Sequence, residues 1–419
     1  KVAVPSRCPA MLLNFKPRPL EGIRFAVKDN FDIKGTRTTL GSRAYFELYP
    51  PANESADCVK MFTGAGAVLL GKTKLCSFIS KEDTTEAVDY PAPFNPRADG
   101  YQSSSGSSTG SASAVSSYDW IDFTLGTDTN GSGRRPANVH GCFGLRPSQG
   151  LIPVKGIIPS FERFDVPCIF SRDIRYISQI AHFLVEANNE TFPEVRQENL
   201  PIAFDMILYP LDFLPTSNSV QMDAIDSLVA DLESVLNIKK TEISIANTWQ
   251  ESAPNEADSD NLHEWLRDAG WAPVFYDNTH NLDEFRAHYA KTFNKKPYAT
   301  PYNRWKWSLG QTITLEKRNA EIQKLDSYRD WLLQEVFKTS IRQAIMILPI
   351  DEPMPAYRDA QPAPSVLRNG DLPLNLSPIM GAPEVTIPLA EMSYESEISG
   401  RIEYLPITVS ILGPPGLPC

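Results

Sequence analysis

Gly126-Thr127-Asp128-Thr129-Asn130-Gly131-Ser132-Gly133-Arg134-Arg135-Pro136 is the stretch from which the rest of the chain is read. Its small polar residues and glycines predict a tight loop, and consecutive backbone N–H groups in such a loop form a concavity suited to an anion. Taken alone, the loop has two readings. It presents donors to a tetrahedral oxyanion beside a reactive Ser132, or it is an ordinary turn or phosphate cradle. Working outward, a serine-rich run over 103–117 contains Gly106-Ser107-Ser108-Thr109-Gly110-Ser111, and further upstream lies Phe25-Ala26-Val27-Lys28-Asp29-Asn30. Together these stretches supply candidates for a nucleophile, a relay hydroxyl, a base and an anion site.

Serine is a weak nucleophile until a base takes its proton. The five histidines, His140, His182, His263, His280 and His288, sit in no motif that marks a base. His140, the one near the loop, reads as a packed structural residue. A lysine serves if burial in apolar surroundings disfavours its ammonium form. Lys28 follows an apolar run, so its stem lies against a core strand. It is either that base or one half of a buried ion pair with Asp29 or another carboxylate.

With 419 residues, 42% of them hydrophobic and 22% charged, the composition is that of a globular protein and not of a disordered chain. No apolar run has the ~18–20 residues of a spanning helix. A net charge of −11 lacks the electrostatic footprint for nucleic acid or an anionic membrane. Cys8, Cys58, Cys76, Cys142, Cys168 and Cys419 form no C-x-x-C pair and read as free thiols of a reducing compartment. A glycan at the Asn130-Gly131-Ser132 sequon would block the loop. Both points favour a cytoplasmic setting.

Short strands are expected at Ile23–Val27, Ala67–Leu70, Ile121–Leu125, Cys142–Leu145, Ile157–Ile158, Ala344–Ile350, Glu384–Pro388 and Ile407–Leu412, and helices at Ala56–Gly64 and Ser111–Ser117. Residues 190–340 are richer in charge. Met222, Ile225, Leu228, Val229, Leu232 and Leu236 share one helical face, and 257–271 and 312–337 also read as helices. The chain is thus expected to be one domain, 1–419, of α/β/α layers with a mixed central sheet. Within it, 190–340 is a mainly helical insertion covering the site, and both chain ends contribute to one sheet.

Five ordered segments make the chain similar to the amidase signature family of serine hydrolases. They are Ala26–Asn30 (V-K-D-N), Ala65–Thr73 (A-G-A-V-L-L-G-K-T), Gly106–Ser111, Gly126–Arg134, and Leu405–Pro415 with its closing G-P-P. The match over 103–174 most resembles fungal members. The resemblance implies a Ser–cisSer–Lys triad: Ser132 as nucleophile, Ser107 as relay after a cis peptide at Gly106, and Lys28 as base. It also implies an oxyanion hole from the amides of Thr129, Asn130, Gly131 and Ser132. Ser108 would bond near Lys28, and Asp128 and Arg134 would brace the loop. Asn130 stands where the family has glycine, and Thr109 replaces another. The spacing of the two serine loops leaves Ser108 as an alternative relay.

The implied activity is hydrolysis of a small-molecule amide or ester through an acyl-enzyme, by a monomer or homodimer, with no metal or organic cofactor and no nucleic-acid or membrane partner. Acyl transfer to another acceptor, the glutaminase role in a tRNA-dependent amidotransferase, and a non-catalytic binding module are the alternatives. Phe293, Tyr298, Tyr302, Trp305 and Trp307 either line an acyl pocket or pack the insertion.

Overall fold

Lys28 ends a strand that is buried almost throughout, because strands flank both of its edges and helices pack on the faces of the sheet. The computed structural model describes residues 18–188, 204–339 and 343–416. Its strands are β1 (Arg24–Lys28), β2 (Val68–Thr73), β3 (Phe123–Asp128), β4 (Phe143–Arg146), β5 (Val166–Ser171), β6 (Met206–Pro210), β7 (Lys240–Ile243), β8 (Ala344–Leu348), β9 (Glu384–Glu395) and β10 (Ile402–Leu412). They form one ten-stranded sheet in the order β2-β1-β3-β5-β4-β9-β10-β8-β6-β7. β1 runs parallel to β2 and β3, the middle pairs are antiparallel, and β8-β6-β7 are parallel again. The sheet is therefore mixed, and the fold is α/β.

The period of two along each strand separates two cores. Phe25 and Val27 of β1, Phe123 and Leu125 of β3, and Ile169 of β5 pack with Phe62 and Ile180 from the helices Asp57–Gly64 and Ile174–Ala187. Cys168 and Phe170 point the other way, onto Ala112, Val115 and Ala137 from the helices Thr109–Ser117 and Arg134–His140. The same alternation splits β8. Ala344, Met346 and Leu348 face one cluster, and Ile345 and Ile347 face another that holds Ile225 and Val229 of the helix Ser219–Leu236. Helices thus cover both faces of the sheet.

Several expectations shift. The strand expected at Ala67–Leu70 runs over Val68–Thr73, and its Lys72 is ion-paired to Asp29 at 2.9 Å. Ile157 makes a single bridge to Phe31 and no strand. Over 257–271 only Leu262–Trp265 is helical. The Ser-Asp-Asn cluster before it favours turn and capping geometry, and Asn261 caps that short helix by accepting from the Glu264 amide. The segment 190–340 also supplies β6 and β7 to the sheet. Cys8 and Cys419 lie outside the described residues; Cys58, Cys76, Cys142 and Cys168 are buried and free. Among the described residues no helix is long and apolar enough to cross a membrane.

Candidate active site

The face of β1 opposite Phe25 and Val27 carries Lys28 towards the serine-rich helix. Small side chains let that helix approach closely. A Cβ on Gly110 would stand 2.5 Å from the Lys74 amide nitrogen, so only glycine fits. Lys28 is fully buried. Its Nζ donates to Ser107 Oγ at 2.8 Å, Ser108 Oγ at 3.0 Å and Thr127 Oγ1 at 2.8 Å. Its sequence neighbour Asp29 is bound by Lys72 and Thr39, so the Lys28–Asp29 pair does not form. Burial pushes the Lys28 ammonium down to about 8, against the opposing pull of nearby Cys168, Cys76, Asp165 and Asp128.

The peptide bond before Ser107 is cis. Ser107 and Ser132 line the same cavity, of about 320 Å³, together with Thr129, Asn130 and Gly131. Ser108 is set behind it, with its hydroxyl donating to the Thr127 carbonyl at 3.0 Å and its amide to the Ser132 carbonyl at 3.1 Å. Lys28 therefore reaches both serines, but only Ser107 also borders the cavity. The left-handed position of the loop is Gly131, at φ +116°, so the Asn at 130 meets no such demand.

The loop is anchored from beneath by Asp128. Its carboxylate accepts from the amides of Gly131 (3.0 Å), Gly133 (2.8 Å) and Arg134 (3.1 Å), and pairs with the side chains of Arg134 and Arg146. Arg134 in turn meets Glu384 at 2.6 Å. All four charged groups are buried. Burial opposes the charged form of Asp128, but the two guanidinium groups outweigh it and hold the carboxyl well below the usual range. The Gly131 amide, expected in the oxyanion hole, is thus engaged by Asp128. The Asn130 and Ser132 amides make no hydrogen bond among the described residues. Thr129 Oγ1 donates to Asp165 Oδ1 at 2.5 Å, and burial pushes the Asp165 carboxyl up to about 6.

Two negative charges balance two positive ones in this cluster, so Asp128→Asn leaves one buried cation uncompensated. The expected loss is about 3–5 kcal/mol of folding stability, read as a lower denaturant midpoint; a change under about 1 kcal/mol contradicts the structural role given to Asp128.

Thr127, Arg146, Glu384 and Asp165 were not singled out by the sequence. Arg146 and Glu384 are cross-strand partners of β4 and β9, a register that no local pattern signals. Thr127 had one available signal, its place one residue before Asp128 on the strand beside Lys28. His140 is buried, its Nδ1 held by the Pro136 carbonyl at 2.8 Å, and burial pushes it down to about 4. Of the five aromatic residues in 293–307, Tyr302 lines the cavity; Trp307 packs on Phe78 and Trp305 on Phe275.

Residues 8–201 match the family model described as Amidase. The chain is 39% identical over 194 residues to "Amidase 1" of Oryza sativa subsp. japonica, covering 46% of this chain and 44% of that protein. It is 35% identical over 173 residues to "Amidase 1" of Arabidopsis thaliana, covering 41% of this chain and 40% of that protein. It is also 42% identical over 164 residues to one of the proteins that make up the mitochondrial glutamyl-tRNA(Gln) amidotransferase of Ixodes scapularis, covering 38% of this chain and 32% of that one. Each match spans less than half of the curated relative. In fold, 98% of the chain superposes on 85% of a crystal structure described as an amidase, with a TM-score of 0.72 and 22% identity.

Proposed function

We propose that the chain is an amidase signature family member, as the match over residues 8–201 supports, and an amide hydrolase working through an acyl-enzyme on Ser132. The observation that carries this reading is a buried lysine with no carboxylate partner among the described residues, hydrogen-bonded to a serine that shares a cavity with a second serine. Neutral Lys28 takes the Ser107 proton as Ser107 takes that of Ser132. Ser132 Oγ then attacks the substrate carbonyl. The developing oxyanion is met by the Asn130 and Ser132 amides, with that of Thr129 beside them. The proton returns through Ser107 to the leaving nitrogen as the C–N bond breaks. Water repeats the sequence on the ester and releases the acid. Asp128, Arg134 and Arg146 hold the loop and do not react.

Because only the neutral amine accepts a proton, kcat/KM on a neutral amide is expected to rise with pH through about 8. Below that value it should fall about tenfold per pH unit. A profile flat from pH 6 to 9 contradicts Lys28 as the base.

The reading is tested by incubating the protein with a panel of small amides and their ethyl esters, with and without an added primary amine, and identifying products by mass spectrometry. Release of the free acid in both conditions is expected. Product formed only when the amine is present replaces hydrolysis with acyl transfer. The match to the amidotransferase protein supports a second reading, a glutaminase within a larger assembly. That reading predicts two co-purifying partner proteins and ammonia release from glutamine alone among the amides.

A further inference from the structure

A second buried lysine, which the proposed reaction does not use, lines the cavity. Lys306, on the helix Pro301–Gly310, is only 4% exposed and lines the same cavity as Ser107 and Ser132. Its Nζ donates to Ser80 Oγ at 3.2 Å and lies 5.5 Å from the centroid of the Phe275 ring. No carboxylate among the described residues forms an ion pair with it. The other cations lining the cavity are placed differently. Arg135 is paired with Asp351, Lys81 is paired with Asp83, and Arg368 is an exposed residue.

A lysine taken from water without a partner carries an uncompensated desolvation cost. Burial pushes the Lys306 ammonium down to about 7, and Asp165 opposes that shift. The ionisable group that acts on it is Asp165; Glu82 lines the same cavity, and burial pushes its carboxyl up to about 7. Glu82 is already held by the Ser77 amide and hydroxyl at 3.0 and 2.8 Å. The Lys306 ammonium has three N–H donors, and a single serine hydroxyl accounts for one.

We propose that Lys306 is the subsite for a carboxylate on the substrate, so that the preferred substrate is a small amide whose acyl part ends in a second, free carboxylate. This inference rests on the hydrolase reading only for the word substrate; the subsite itself is a binding claim. An ammonium meets a carboxylate as a compact point charge, with no demand for the bidentate geometry of a guanidinium. The cavity volume of about 320 Å³ sits at the small end of ligand pockets.

The test separates binding from catalysis. Succinate, glutarate and adipate are titrated by calorimetry into the parent protein, into Ser132→Ala and into Lys306→Met, each against the corresponding neutral diamide. At least one diacid is expected to bind the parent and Ser132→Ala alike, more tightly than its diamide. Lys306→Met is expected to weaken that binding by about tenfold or more, the scale of one charge-assisted hydrogen bond. Lys306→Gln serves as a second variant, and circular dichroism verifies that each is folded. Equal diacid affinity in the parent and a folded Lys306 variant, or no preference for diacid over diamide in the parent, overturns the proposal. Failure of the hydrolase reading alone shows differently: the diacids still bind through Lys306, yet no amide is cleaved.

Discussion

Replacing Ser132 by alanine is expected to lower amide turnover by on the order of 10⁴-fold or more, with folding stability within about 0.5 kcal/mol of the parent. The two halves of this prediction have separate physical origins. The hydroxyl is the atom proposed to bond to the carbonyl carbon, and no other side chain can supply that bond from the same place. Ser107 borders the same cavity, but it is proposed to relay the proton, and its hydroxyl is tied to Lys28. The fold does not depend on the Ser132 hydroxyl. What Ser132 contributes to structure is its backbone carbonyl, which accepts from the Ser108 amide, and alanine retains it. Activity and circular dichroism on one preparation test both halves. Parent-like turnover in the alanine variant removes Ser132 from the reaction.

Replacing Lys28 should cost nearly as much, on the order of 10³-fold or more, because nucleophile, relay and base act as one unit. The choice of replacement carries the argument. Methionine has similar length, buries readily and removes the cost of an interior ammonium. Lys28→Met should therefore be close to the parent in stability while losing activity. Arginine keeps the charge and can donate to the same hydroxyls, but it does not give up a proton near neutral pH. Lys28→Arg should be as inactive as Lys28→Met, and less stable, because a larger cation has to fit a fully buried site. If Lys28→Arg restored turnover, the residue would be acting as a fixed charge and not as a base.

The residues proposed to react were legible in the sequence because each sits inside one of the ordered motifs that carry the family resemblance. Lys28 ends an apolar strand, Ser107 opens a helix of small residues, and Ser132 lies in a glycine-bounded loop. What supports them was not legible. Arg146 and Glu384 meet through an antiparallel register, and Thr129 reaches Asp165 from 36 positions away. Such pairings depend on how strands align, which residue types alone do not encode. β5 escaped notice because Pro167 interrupts its apolar run, although it pairs along the length of β3. The aromatic run of 293–307 illustrates a related difficulty. Ring-rich helices pack a core or line a cavity with the same composition, and only Tyr302 borders the cavity. Lys306, three and four positions from Asn303 and Tyr302 on that helix, gave no sign of facing the same space.

Every step of the proposed reaction depends on Lys28 being neutral when Ser132 attacks. The most direct measurement is the rate at which a small uncharged fluorophosphonate labels the protein, followed against pH, with the modified residue located by peptide mass spectrometry. The account predicts a single adduct on Ser132, a rate that climbs through about pH 8, and no labelling above background in Lys28→Met. An adduct on another residue, or equal rates in the parent and Lys28→Met, would contradict it.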